Sequence, residues 1–182
     1  IAIIFVICIV FVYLLLSALY ESYIIPLAVL LSLPVGLAGV FIFILLFGVD
    51  KGIVNNIYVQ ISLVMLIGLL AKNAILIVEY AIQRRQQGQS IVNAAINGAV
   101  ARLRPILMTS FAFIAGLTPL ALSRGAGAIG NNSIGLSAIG GMLIGTIIGV
   151  LIIPILYIVF QSLEERLKGK NRGEAKQQLI EE

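Results

Sequence analysis

The side chains best suited to chemistry are scarce in this sequence of 182 residues, and one is out of place. There is no histidine, which removes the commonest general base and metal ligand. A single cysteine, Cys8, excludes an internal disulfide and a cysteine metal site. Most charged residues sit in short stretches beside apolar runs, but Lys72 lies near the centre of one such run, Ile57 to Arg84. Lysine at the centre of a membrane helix costs about 2.5–3.5 kcal/mol on insertion scales, while each Leu, Ile or Val returns about 0.3–0.6. The run is rich enough in these residues to insert anyway, so the lysine is an avoidable cost that function must justify. It is also too deep to snorkel, a solution suited to helix ends. A buried ammonium calls for a carboxylate. Glu79 is two turns away, about 10 Å along the axis, Asp50 is in a loop, and the other acids except Glu21 are in the tail. Carboxylates on helices outside this sequence are therefore expected to face Lys72.

Weaker candidates follow. Thr109 lies seven residues after Arg102, so the two share a helical face. A hydroxyl in a membrane helix most often bonds its own backbone, which is the bland alternative for Thr109. Arg102 and Arg104 read most simply as interfacial anchors. Gly141, Gly145 and Gly149 form a tandem GxxxG, which permits close packing of helices. Gly125, Gly127 and Gly130 match GxGxxG, but a helix and not a strand precedes them, so a flexible turn is expected and not a dinucleotide site. No cofactor or metal site is expected.

The elements that position these residues follow from composition. Sixty per cent of the residues are hydrophobic and 11% charged, against roughly 25% charged in a soluble domain. The net charge is +4, but the basic residues are grouped as in a membrane protein and not as a patch for nucleic acid. A span needs about 20 apolar residues, and five stretches qualify: 1–20, 24–48, 57–84, 105–122 and 133–160. Pro26 falls in the opening turn of the second, and Pro34 is expected to kink it. Between the third and fourth, residues 90–102 predict a separate amphipathic surface helix with Ser90 as N-cap. Ile91, Val92, Ala95, Ile96, Ala99 and Val100 would line its apolar face, with Asn93 and Asn97 opposite. Residues 163–182 read as a solvated, fraying tail. The expected fold is thus an all-α, polytopic transmembrane bundle of about five membrane helices plus one cytoplasmic surface helix.

Alternating the connections by side puts nine basic residues together: Arg84, Arg85, Arg102, Arg104, Arg166, Lys168, Lys170, Arg172 and Lys176. Lys51 and Arg124 fall on the other side. The positive-inside rule makes the first group cytoplasmic. The amino-terminal end is then extracytoplasmic. The sequence opens on Ile1 and enters a span at once, without a signal-peptide pattern, so a preceding portion with an outer domain is expected.

Specific stretches carry a resemblance. Gly68–Ala81, GLLAKNAILIVEYA, resembles the tenth membrane span of RND (resistance-nodulation-cell division) multidrug efflux pumps of the hydrophobe/amphiphile class, the AcrB type. Arg102–Leu120, RLRPILMTSFAFIAGLTPL, is similar to the eleventh; ALYES with Ile25 and Pro26 resembles the turn between spans eight and nine; and AIGGM at Ala138–Met142 matches the twelfth. Together they cover the chain to about Lys168, in order. The resemblance implies a proton-driven antiporter of the bacterial inner membrane and not an enzyme. Such a protein is a homotrimer working with a periplasmic adaptor protein and an outer-membrane channel, and its N-terminal half and periplasmic domains have no counterpart here. It also implies a proton-relay role for Lys72, Thr109 and Arg102. By position beside Lys72 and near the cytoplasmic end of the span, Asn73 and Glu79 are candidate interfacial or relay contributors, Glu79 equally as a plain interfacial carboxylate. A heavy-metal exporter of the same superfamily would call for methionines or acids along a metal path, and Met65, Met108 and Met142 are scattered. A non-transporting scaffold would leave Lys72 without a reason.

Overall fold

A computed structural model describes the backbone of residues 2–49 and 52–181 and the side chains of 3–49 and 52–167. Asp50, Lys51 and the tail side chains from Lys168 onward lie outside the described residues. The described residues fold into helices alone: α1 Ala2–Tyr20, α2 Ile25–Phe47, α3 Ile57–Gln86, α4 Ile91–Ala121 and α5 Ala128–Glu181. All five are long and apolar enough to cross a membrane. At 1.5 Å per residue, the 30 residues of α3 cover roughly 45 Å.

Local chemistry sets the helix starts. Pro26 sits in the first turn of α2, where its missing N–H costs nothing. Asn56 caps α3 by accepting from Val59 N at 3.0 Å, and its amide also donates to Ser133 Oγ on α5 at 2.9 Å. Ser90 caps α4, accepting from Asn93 N at 3.3 Å. Glycines with positive φ, Gly125 at 98° and Gly127 at 80°, make the turn between α4 and α5.

Helix α5 is the axis of the bundle and packs on α2, α3 and α4, while α1 lies at the edge against α2 and α3. Only Leu16 of the described α1 side chains is buried, whereas α3 buries a continuous face from Val59 through Ile67 and Ala74 to Ala81. The α2–α5 seam is made of glycine. A Cβ at Gly145 would lie 3.1 Å from Gly36 Cα, and one at Gly39 would lie 3.2 Å from Gly140 O. With lipid as apolar as leucine, helices gain by close backbone approach more than by covering large side chains.

Three expectations change. The segment 90–102 is not a separate surface helix: α4 runs unbroken from Ile91 through Arg102, Arg104 and Pro105 to Ala121. Charge and proline interrupt the hydropathy, but a proline removes only one backbone bond and the helix passes it. The face of that segment is also turned. Ala94, Ala95 and Gly98 are buried, while Val92, Ile96 and Val100 are exposed with Asn93 and Asn97. Small residues let α4 reach α3, where a Cβ at Gly98 would sit 2.9 Å from Ile77 O. Finally, the backbone of the tail continues as part of α5 to Glu181.

Candidate functional site

Lys72 is the sixteenth of the 30 residues of α3 and is exposed. It shares an uncovered stripe with Ile61, Met65, Gly68 and Glu79 at intervals of three, four and seven, the spacing of one helix face. Gly68, one turn before it, has nothing within 4 Å of its Cβ position. Among the described residues, no hydrogen bond or ion pair reaches Lys72. The next residue, Asn73, is 8% exposed and turns inward.

Thr109 is likewise exposed, and its hydroxyl donates to Ile106 O at 3.0 Å, the local bond the sequence offered as its plain reading. Gly116, two turns on, also faces open space. Arg102 is half-buried, with its guanidinium carbon 5.3 Å from the centroid of the Tyr80 ring. That ring also carries Arg84, at 5.0 Å, so one tyrosine of α3 receives a cation from its own last turn and another from α4. The structure therefore brings Arg102 to α3 through Tyr80, a contact the sequence did not disclose. It joins neither Arg102 nor Thr109 to Lys72 among the described residues.

Glu79 is exposed and opens on a cleft of about 300 Å³ lined also by Tyr20, Glu21 and Gln83. Of the three packing glycines, Gly141 and Gly145 lie in the seam. A Cβ at Gly141 would collide with Leu66 and stand 2.6 Å from Val40 Cγ2, while one at Gly149 would meet only Ile153 Cδ1, at 3.7 Å.

A second group of polar residues ties the helices at the arginine-rich end. Arg85 donates Nε and Nη2 to the two oxygens of Glu165, each at 2.9 Å, and Nη1 to Gln89 O at 2.7 Å. Ser22, in the turn between α1 and α2, donates to buried Glu164 at 2.9 Å. Tyr20 donates to Ile75 O at 3.3 Å. These bonds span 142, 80 and 55 positions, so spacing along the chain could not reveal them.

A bundle of five helices, each long and apolar enough to cross a membrane, with an exposed lysine midway along one of them, defines a polytopic membrane protein. The chain belongs to the AcrB/AcrD/AcrF family, whose model matches residues 1–161. It is 45% identical over 159 residues to the toluene efflux pump membrane transporter TtgB of Pseudomonas putida, covering 87% of this chain and 15% of that protein. It is 44% identical over 164 residues to the multidrug resistance protein MdtF of Escherichia coli, covering 89% and 15%. Over 151 residues it is 43% identical to the multidrug export protein AcrF of Escherichia coli, covering 82% and 14%. The chain thus spans about 15% of the length of the curated relatives it matches.

Proposed function

We propose that this chain is the carboxy-terminal membrane part of a proton-driven drug/proton antiporter of the bacterial inner membrane, and that Lys72 is its charge in the proton relay. The observation that carries this reading is the exposed ammonium at the middle of α3, beside the open Gly68, with no carboxylate bonded to it among the described residues. In hydrocarbon such a charge needs an opposite one. The uncovered stripe of α3 is where a facing helix from the rest of the chain supplies it. Two close carboxylates there would repel each other, and the ammonium would favour their ionised form. Protonating one removes its attraction for Lys72. That difference drives a cycle if the two conformers hold Lys72 at different distances from the acids.

Thr109 on α4 assists by hydrogen bonding or by placing water, and Arg102, held on Tyr80, keeps α4 in register with α3. Asn73 and Glu79 contribute at the margins of the relay. The grouping of the basic residues supports a cytoplasmic α3–α4 turn and tail and a periplasmic amino-terminal end. The family reading adds a homotrimer, a periplasmic adaptor and an outer-membrane channel as partners.

The test is a graft. Residues 1–161 replace the matching segment of TtgB, and efflux is measured in a pump-deficient strain. Lys72→Met keeps length and apolar bulk while deleting the charge. Efflux is expected to be lost with the protein still inserted and expressed. Efflux at the unsubstituted rate and expression would overturn the role.

A further inference from the structure

Behind Lys72, on the inner side of α3, lies a small cavity that neither packing nor the relay reading accounts for. It is walled by α2, α3, α4 and α5, and its volume of about 10 Å³ is about what one water molecule needs. Most of its wall is aliphatic, but three polar side chains open on it from three helices: Ser32 of α2, Asn73 of α3 and Thr146 of α5. All three are more than nine-tenths buried, with 7%, 8% and 4% of their surface exposed.

Their hydrogen bonds are unequally filled. Ser32 donates to Val29 O at 2.6 Å, which commits its proton and leaves its lone pairs free. Thr146 shares a hydrogen bond with Ser110 of α4 at 2.9 Å; with Thr146 as donor, its own lone pairs are free. Asn73 Nδ2 is buried and has no partner among the described residues. An amide donor in hydrocarbon without an acceptor is strongly disfavoured, and an apolar residue of similar size would have avoided it. One donor and two acceptors, on three helices around a space of this size, are complementary to a single neutral molecule that accepts once and donates twice.

We propose that this cavity is a hydration site holding one ordered water, which accepts from Asn73 Nδ2 and donates to Ser32 Oγ and Thr146 Oγ1. Three hydrogen bonds are typical of a buried water. Two free hydroxyl oxygens are too few to replace the hydration shell of a cation, and the volume excludes a lipid tail. The water joins α2, α3 and α5 at the level of Lys72. The proposal rests on the cavity and its walls, and although it shares Asn73 with the relay reading its test does not depend on that reading.

X-ray radiolytic footprinting of the chain in lipid nanodiscs tests it, because a trapped water yields hydroxyl radical where it sits. Ile77 and Ile106 line the cavity and are each 1% exposed, while Leu66 and Ile67 are fully buried elsewhere. Hydroxylation of Ile77 and Ile106, with Leu66 and Ile67 unlabelled, is expected in the unsubstituted chain. Asn73→Leu should abolish it, and Thr146→Val should reduce it. No labelling at Ile77 and Ile106, or equal labelling of all four, overturns the site. If Asn73→Leu also exposes Leu66, the packing has opened and Thr146→Val decides: undiminished labelling in that variant overturns the proposal.

Discussion

Arg85 grips Glu165 through two parallel hydrogen bonds of 2.9 Å, joining the last turn of α3 to α5 across 80 positions of sequence. The pair is partly exposed, with about a third of each side chain accessible. Exposed pairs typically contribute about 0.2–1 kcal/mol, and the two-bond geometry puts this one at the upper end. Glu165→Gln should therefore destabilise the chain slightly in thermal unfolding in detergent, and the loss should shrink in roughly 1 M salt, where charges are screened. A loss of several kcal/mol independent of salt would contradict this.

Ser22→Ala should cost more, although serine is the smaller partner. It removes the hydroxyl that donates to Glu164, a carboxyl only 6% exposed. Hydrogen bonds to charged groups are worth about 1.5–3 kcal/mol. Parallel unfolding curves for Ser22→Ala and Glu165→Gln should rank them in that order.

The tandem glycines should part company. At Gly145 a methyl group would press on Leu70 and on the backbone of Gly36, so Gly145→Ala forces α2 and α5 apart and should cost about 1–3 kcal/mol. At Gly149 the nearest atom is 3.7 Å away, and Gly149→Ala should gain up to about 1 kcal/mol of helix propensity. Unfolding midpoints moving in the same direction would show that the seam is looser than described.

Orientation can be read with thiols. In a Cys8→Ala background, cysteines at exposed Asn55 and Gln87 test the assignment made from the basic residues. An impermeant reagent should label Asn55→Cys and spare Gln87→Cys in intact cells. The reverse pattern would invert the topology.

In the TtgB graft, Thr109→Ala should lower efflux no more than Lys72→Met does. Thr109 carries no charge, and its hydroxyl is already engaged with Ile106 O. A complete loss from Thr109→Ala alongside a mild one from Lys72→Met would reverse their roles.

Much of this fold is legible because lipid imposes lengths. A stretch such as Ile25–Phe47 has few alternatives to a membrane helix. The continuity of α4 is hidden because Arg102, Arg104 and Pro105 end the hydropathy signal without ending the hydrogen-bond ladder. The inward face of Ala94 and Gly98 is hidden for a different reason. Periodicity assigns large apolar residues to the protein, as in water, whereas here Val92 and Val100 are exposed and the small ones make contact. Lys72 stands out by type and depth alone. Tyr80 gave no such signal, because an aromatic residue near a span end is ordinary, and its role comes from two arginines that folding brings to it. Asn73 was visible only as a neighbour of Lys72; its meaning depends on Ser32 and Thr146, which the chain delivers from 41 positions before and 73 after.

That α4 is one piece has a mechanical consequence. It approaches α3 closely at Gly98, where an added Cβ would meet the carbonyl of Ile77. From there to Ile91 is roughly 10 Å, and to Thr109 roughly 16 Å, at the rise of an α-helix. A rod pinned at such a fulcrum has a short arm bearing Asn93 and a long arm bearing Thr109. Any tilt about Gly98 swings the two ends in opposite directions, with the larger excursion at Thr109. Pro105, where the ladder lacks a rung, gives the arm compliance between Gly98 and Thr109, and Pro119 does the same nearer its end.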